Sequence, residues 1–115
     1  ALSTDARYLG RGAVPLDGLS CSGSMDGEGY DVVAGATTSP VEIQTGYRMV
    51  FGADPAVWEE ASPIRHVAAD TGIPRYFIAA RGMDWRVSQH LAFIDALRTP
   101  LGWKLIVAGL LNGEE

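Results

Sequence analysis

The 115-residue chain has 47% apolar and 20% charged residues, which fits one modest globular domain and argues against global disorder. Nine basic against fourteen acidic residues leave a net charge of −5 with no long run of either sign, so nucleic acid is excluded as the expected partner. The longest apolar run, residues 105–111, is far short of the roughly 20 residues that span a bilayer, and a single Cys21 rules out an internal disulfide framework.

In chain order, Leu2, Ala6 and Leu9 fall at helical spacing and predict a short helix over residues 2–9, stopped at Gly10. Residues 16–22 predict a buried strand, with Cys21 as a small buried hydrophobe, ended by turn chemistry at 23–27. Residues 27–39 show no sustained period and read as loop, with a short extended piece at 30–34. The glycines at 23–29 lack the lysine and following helix of a phosphate loop.

Ser39 as cap, Pro40 at the first position and apolar Val41, Ile43, Tyr47, Val50 and Phe51 predict a helix, weakened at Gly46 by about 1 kcal/mol relative to alanine. Asp54-Pro55 starts a second, short helix that Ser62-Pro63 ends. Residues 64–73 form a connection. Tyr76 to Ala80 is an apolar run fit for a parallel strand buried on both faces, Gly82 permits a sharp turn, and Asp84 projects beyond the strand's carboxyl end. Val87, Leu91, Ile94 and Leu97 then predict a helix over 88–98, closed by Thr99-Pro100, and residues 103–108 return as a strand. Strand, helix, strand at these lengths is a right-handed βαβ unit, and it brings Asp84 and a Gly109–Gly113 turn to the same sheet edge.

Phe51-Gly-Ala-Asp-Pro55, Ser62-Pro63 and Gly82-Met-Asp84 with Val87 resemble the α/β-hydrolase superfamily, on its esterase and lipase (carboxylesterase-like) branch. The resemblance runs over most of the chain and corresponds to the C-terminal half of that fold, a parallel sheet with flanking helices forming one partial domain. It implies a serine hydrolase acting on a small ester or amide, with Asp84 as the acid of a Ser-His-Asp triad. Taken by itself, Asp84 reads equally as a turn or helix-cap carboxylate.

The same resemblance places Asn112 at the family's histidine position. Asn cannot take and release a proton near neutral pH, so a triad built on Asn112 lacks its general base. Asn112 reads equally as the first residue of an Asn-Gly turn. No Gly-x-Ser-x-Gly elbow occurs in the chain, and the nucleophile is expected ahead of Ala1.

His66 is expected to be structural, and His90 to lie on the solvated face of its helix. Two histidines 24 residues apart and one cysteine offer no metal-ligand spacing, and no cofactor is implied. Trp85 is expected at the rim of a substrate pocket, Phe51 and Trp58 in the core, and Tyr47 and Met49 in either role. A half-sheet leaves apolar faces and an unpaired edge, so self-association or a covering partner is expected. The competing reading is therefore a catalytically silent half-domain used for assembly. The chain shows no signal peptide at its first residues, and a cytoplasmic location is expected, with secretion left open.

Overall fold

The structure is a computed structural model that describes residues 3–69 and 71–112, with the backbone alone for residue 103 and residues 108–112. Five helices and three strands run in the order α1 (Ala6–Gly10), β1 (Cys21–Met25), α2 (Val32–Thr37), α3 (Val41–Phe51), α4 (Pro55–Ala61), β2 (Arg75–Gly82), α5 (Asp84–Leu101) and β3 (Leu105–Asn112), with single 3-10 turns at Leu16–Gly18, Pro63–His66 and Gly102–Lys104. The strands form one parallel sheet in the order β1-β2-β3, an α/β arrangement.

Local chemistry accounts for the helix starts. Asp5, Asp31 and Asp54 each accept a backbone N–H of the following first turn, from Arg7, Ala34 and Ala56 respectively, and Pro55 sits where a missing N–H costs nothing. At α3 the capping residue is Pro40 rather than Ser39, whose hydroxyl instead donates to the Ala34 carbonyl at 3.3 Å.

Several expectations are corrected. Residues 16–18 form a 3-10 turn, and the strand expected at 16–22 begins only at Cys21, where pairing with β2 supplies the ladder. Cys21 is exposed, because β1 is an edge strand whose outer face is uncovered. Residues 32–37, read as loop, are helix α2. The final helix starts at Asp84 and runs through Pro100 to Leu101, and β3 continues through Asn112, so residues 109–112 make no turn.

Burial on β2 alternates. Tyr76, Ile78 and Ala80 face inward, whereas Arg75, Phe77 and Arg81 are exposed, so the strand is covered on one face and not on two. α5 covers that face. Phe93, Ile94, Leu97 and Leu101 join Tyr76, Ile78 and Tyr30 in the main core, with Tyr30 stacked on Phe93 at 4.5 Å between centroids.

A second core lies among α2, α3 and α4: Val32, Ala36 and Trp58, with Tyr47 and Phe51 against them. Trp58 Nε1 donates to the Gly52 carbonyl at 3.0 Å, which satisfies the indole inside it. Ser62 ties the two regions together, accepting the Val32 N–H at 2.8 Å and donating to the Trp58 carbonyl at 2.6 Å. Glycine is required at position 35, since a β-carbon there would sit 2.6 Å from Tyr47 Cδ1 and Cζ. Gly35→Ala is expected to lower stability by about 1–3 kcal/mol through this overpacking, measured as a fall in urea midpoint at unchanged slope.

Candidate functional site

The carboxyl edge of the sheet is built by three strand ends. β1 ends at Met25 and is followed by Asp26, β2 ends at Gly82, and β3 ends at Asn112, whose backbone is in register with Gly82. A register shift between Ala79 and Arg81 inserts an extra residue into β3 just before this edge. Gly82 has φ +113°, a conformation open to glycine and strained for other residues, and it turns the chain sharply into α5. Asp84 is then the first residue of an 18-residue helix, beyond the N-cap Met83, where the helix dipole favours a negative charge.

Two carboxylates share this edge and differ in what they do. Asp26 bridges β1 and β2: its N–H donates to the Ala79 carbonyl at 2.9 Å, its Oδ1 accepts the Arg81 N–H at 2.8 Å, and its Oδ2 lies 3.6 Å from Arg81 Nε. This left-handed turn residue, with φ +51°, is committed to holding the strand ends together. Asp84 is exposed and makes no side-chain hydrogen bond or ion pair among the described residues. It is thus the carboxylate available to an incoming group.

Neighbouring charges steady the helix that carries Asp84. Arg86 Nη2 pairs with Glu28 at 2.9 Å, linking the start of α5 to the loop after β1, and its guanidinium lies 5.6 Å from the centre of the Trp85 ring. Trp85 is half-buried and lines a cavity of about 250 Å³ with Asp31, Ser39, Ser88 and Gln89, between α5 and the end of α2. That agrees with its expected place at a pocket rim. Sequence patterning did not single out Gln89 or Ser39; both are buried, 3.4 Å apart through Gln89 Nε2 and Ser39 Oγ.

Tyr47 and Phe51 do both things expected of them. They pack on the second core and also line a groove of about 420 Å³ along α3, with Glu28, Glu42, Ile43 and Val50. Burial raises the Tyr47 phenol above its ordinary pKa. Met49 is 82% exposed and belongs to neither core.

Neither histidine serves Asp84. His66 Nε2 donates to the Glu60 carbonyl at 2.7 Å and lies 3.6 Å from the buried Asp5 carboxylate. Asp5 is also gripped by Arg7, whose hydrogen bonds outweigh the opposing effect of burial and hold its pKa down to about 2. His66 is therefore part of a brace between α1 and the segment after α4.

His90 is 0% exposed, contrary to the solvated position expected of it. Its Nδ1 hydrogen meets the Arg86 carbonyl at 2.8 Å, its ring stands edge-on to Tyr30 at 4.9 Å, and Nε2 is buried without a partner among the described residues. The side chain of Asn112 lies outside the described residues. Among the described residues no group of three potential metal ligands comes together.

No helix among the described residues is long and apolar enough to cross a membrane. Comparison with protein-family models, with curated proteins and with solved structures gave no match.

Proposed function

We propose that this chain is the acid-bearing part of a serine hydrolase of α/β-hydrolase type, acting on a small ester or amide once serine and histidine are supplied from outside these 115 residues. One observation carries the reading: a carboxylate without a partner stands at the first residue of α5, directly beyond the glycine turn that ends a parallel strand. In that role Asp84 accepts the Nδ1 hydrogen of the histidine, fixes its tautomer and stabilises its cation while Nε2 takes the proton of the serine hydroxyl. Gly82 and Asn112 are in register, so the strand after α5 ends beside the acid, where the fold would present the base. Trp85 forms part of the substrate rim.

The alternative is a catalytically silent half-domain used for assembly. Asn112 at the position implied for the base favours it, as does a parallel sheet covered on one face.

Upstream coding sequence separates the two. The hydrolase reading requires a Gly-x-Ser-x-Gly within about 20 residues before Ala1, and its serine should label with a fluorophosphonate in the extended polypeptide. A stop codon or an unrelated domain there would sink it. The chain of 115 residues by itself is expected to hydrolyse a chromogenic acetyl ester at the background rate. Serine-inhibitor-sensitive turnover by that chain would show that a nucleophile lies within it.

A further inference from the structure

The surface of the sheet opposite α5 carries Met25, Phe77 and Ile106, which are 77%, 38% and 59% exposed. Their rows are adjacent: Gly23 pairs Phe77, Phe77 pairs Ile106, and Met25 pairs Ala79. Parallel sheets are almost always covered on both faces, because their crossover helices lie there. The molecule measures 38 × 32 × 20 Å and exposes 6816 Å². That is roughly 700 Å² more than the roughly 6100 Å² expected of a compact monomer of this size, close to the ~800 Å² each partner gives to a standard interface.

The chain also carries a helix with nothing on its outer side. Along α3, Val41, Met49 and Val50 are 72%, 82% and 75% exposed. Val41-Thr45-Met49 and Glu42-Gly46-Val50 form two ridges at four-residue spacing, with the small residues midway, and a β-carbon on Gly46 would meet no atom within 4 Å. Such a face allows close approach to a flat sheet.

The charges match as well. Arg75 and Lys104 border the hollow that holds Phe77 and Ile106, while Glu28 and Glu42 border the groove along α3. The one basic residue on α3, Arg48, is turned inward, bonding the Ala36 carbonyl at 3.0 Å and lying 5.5 Å from the centre of the Trp58 ring.

We infer that the bare sheet face of one copy seats α3 of a second copy, so that the chain associates head to tail. The helix becomes the missing layer over its neighbour's sheet, with Glu42 directed toward the Arg75 and Lys104 side. Because the two surfaces differ, the contact does not close on itself in a pair, and each added copy offers a fresh sheet and a fresh helix. This inference rests on the assembly reading and is independent of Asp84, so failure of the ester experiment leaves it standing.

Sedimentation velocity of the 115-residue chain over ~1 to ~300 µM tests it. The wild type is expected to form species that grow with concentration. Met49→Glu and Phe77→Glu are each expected to sediment as monomers alone, since each loses one of the two surfaces. Mixed in equal amounts, they are expected to form a species of two chains and none larger, through the sheet of the first and the helix of the second. Met25→Glu, on an exposed edge-strand position, replaces Phe77→Glu if circular dichroism shows that variant unfolded. A wild type that stays monomeric throughout overturns the inference and leaves the face to another segment or protein. A wild type that associates while the mixture stays monomeric also overturns it, and points to a symmetric sheet-to-sheet contact.

Discussion

Phe93→Ala is expected to remove about 3–5 kcal/mol of stability, a large part of the roughly 5–15 kcal/mol that holds a domain together. The ring is 1% exposed and sits where three elements meet: stacked on Tyr30 at 4.5 Å and edge-on to Tyr76 at 5.7 Å. Truncation to alanine costs the transfer of the ring and leaves a cavity walled by aromatic groups that cannot fold inward. Tyr30 is itself anchored by a hydrogen bond to Ser24 and by the edge of His90, so little relaxation is open to it. Urea unfolding followed by near-ultraviolet circular dichroism should show the midpoint falling in proportion. Leu91→Ala, one turn earlier on the same helix but 47% exposed, should cost less than ~1 kcal/mol. A loss below ~1 kcal/mol for Phe93→Ala would mean that α5 does not pack on the sheet as described.

The contrast between Phe93 and Leu91 also shows where patterning was informative. From Val87, both His90 and Leu91 lie within one turn, and hydrophobicity alone selects Leu91. The buried stripe is instead Val87, His90, Ile94, Leu97 and Leu101, because Phe93 and Tyr30 fix the helix rotation and the imidazole satisfies one nitrogen on its own backbone. Where the signal was local, it was read correctly: Asp54-Pro55 starts α4, and Gly82 makes the turn ahead of Asp84.

Where an element depends on its neighbours, the chain gave no local cue. Helix α2 has six residues with two valines, a glycine and a threonine, too short for a period and poor in helix formers. It stands because Asp31 caps it and Tyr47 lies flat on Gly35. Strand β1, Cys-Ser-Gly-Ser-Met, has no apolar alternation and exists through its ladder to β2. The candidate acid was legible because a carboxylate after a glycine turn is a local pattern. That Asp26 would be consumed in bonding the strand ends, leaving Asp84 without a partner, depends on contacts across 55 residues.

The division of labour between those two carboxylates gives the sharpest expectation for function. In the polypeptide that joins this chain to its serine and histidine, Asp84→Asn is expected to lower kcat by about 10⁴, the loss seen when a triad keeps its shape but not its negative charge. Asparagine offers an amide that can hold the wrong tautomer of the histidine and cannot balance its cation. KM should change little, since Asp84 does not touch the ground-state substrate. The same substitution should move stability by less than ~1 kcal/mol, because the carboxylate is exposed and its main local interaction is with the start of α5. Asp26→Asn should behave in the opposite way. It weakens the bonds to Arg81 and costs ~1–3 kcal/mol of stability, with kcat kept within a few-fold of wild type. If Asp26→Asn and Asp84→Asn exchange these outcomes, the acid of the triad is at the end of β1. If neither changes kcat, the sheet edge takes no part in the chemistry and Asp84 is a helix-start carboxylate alone.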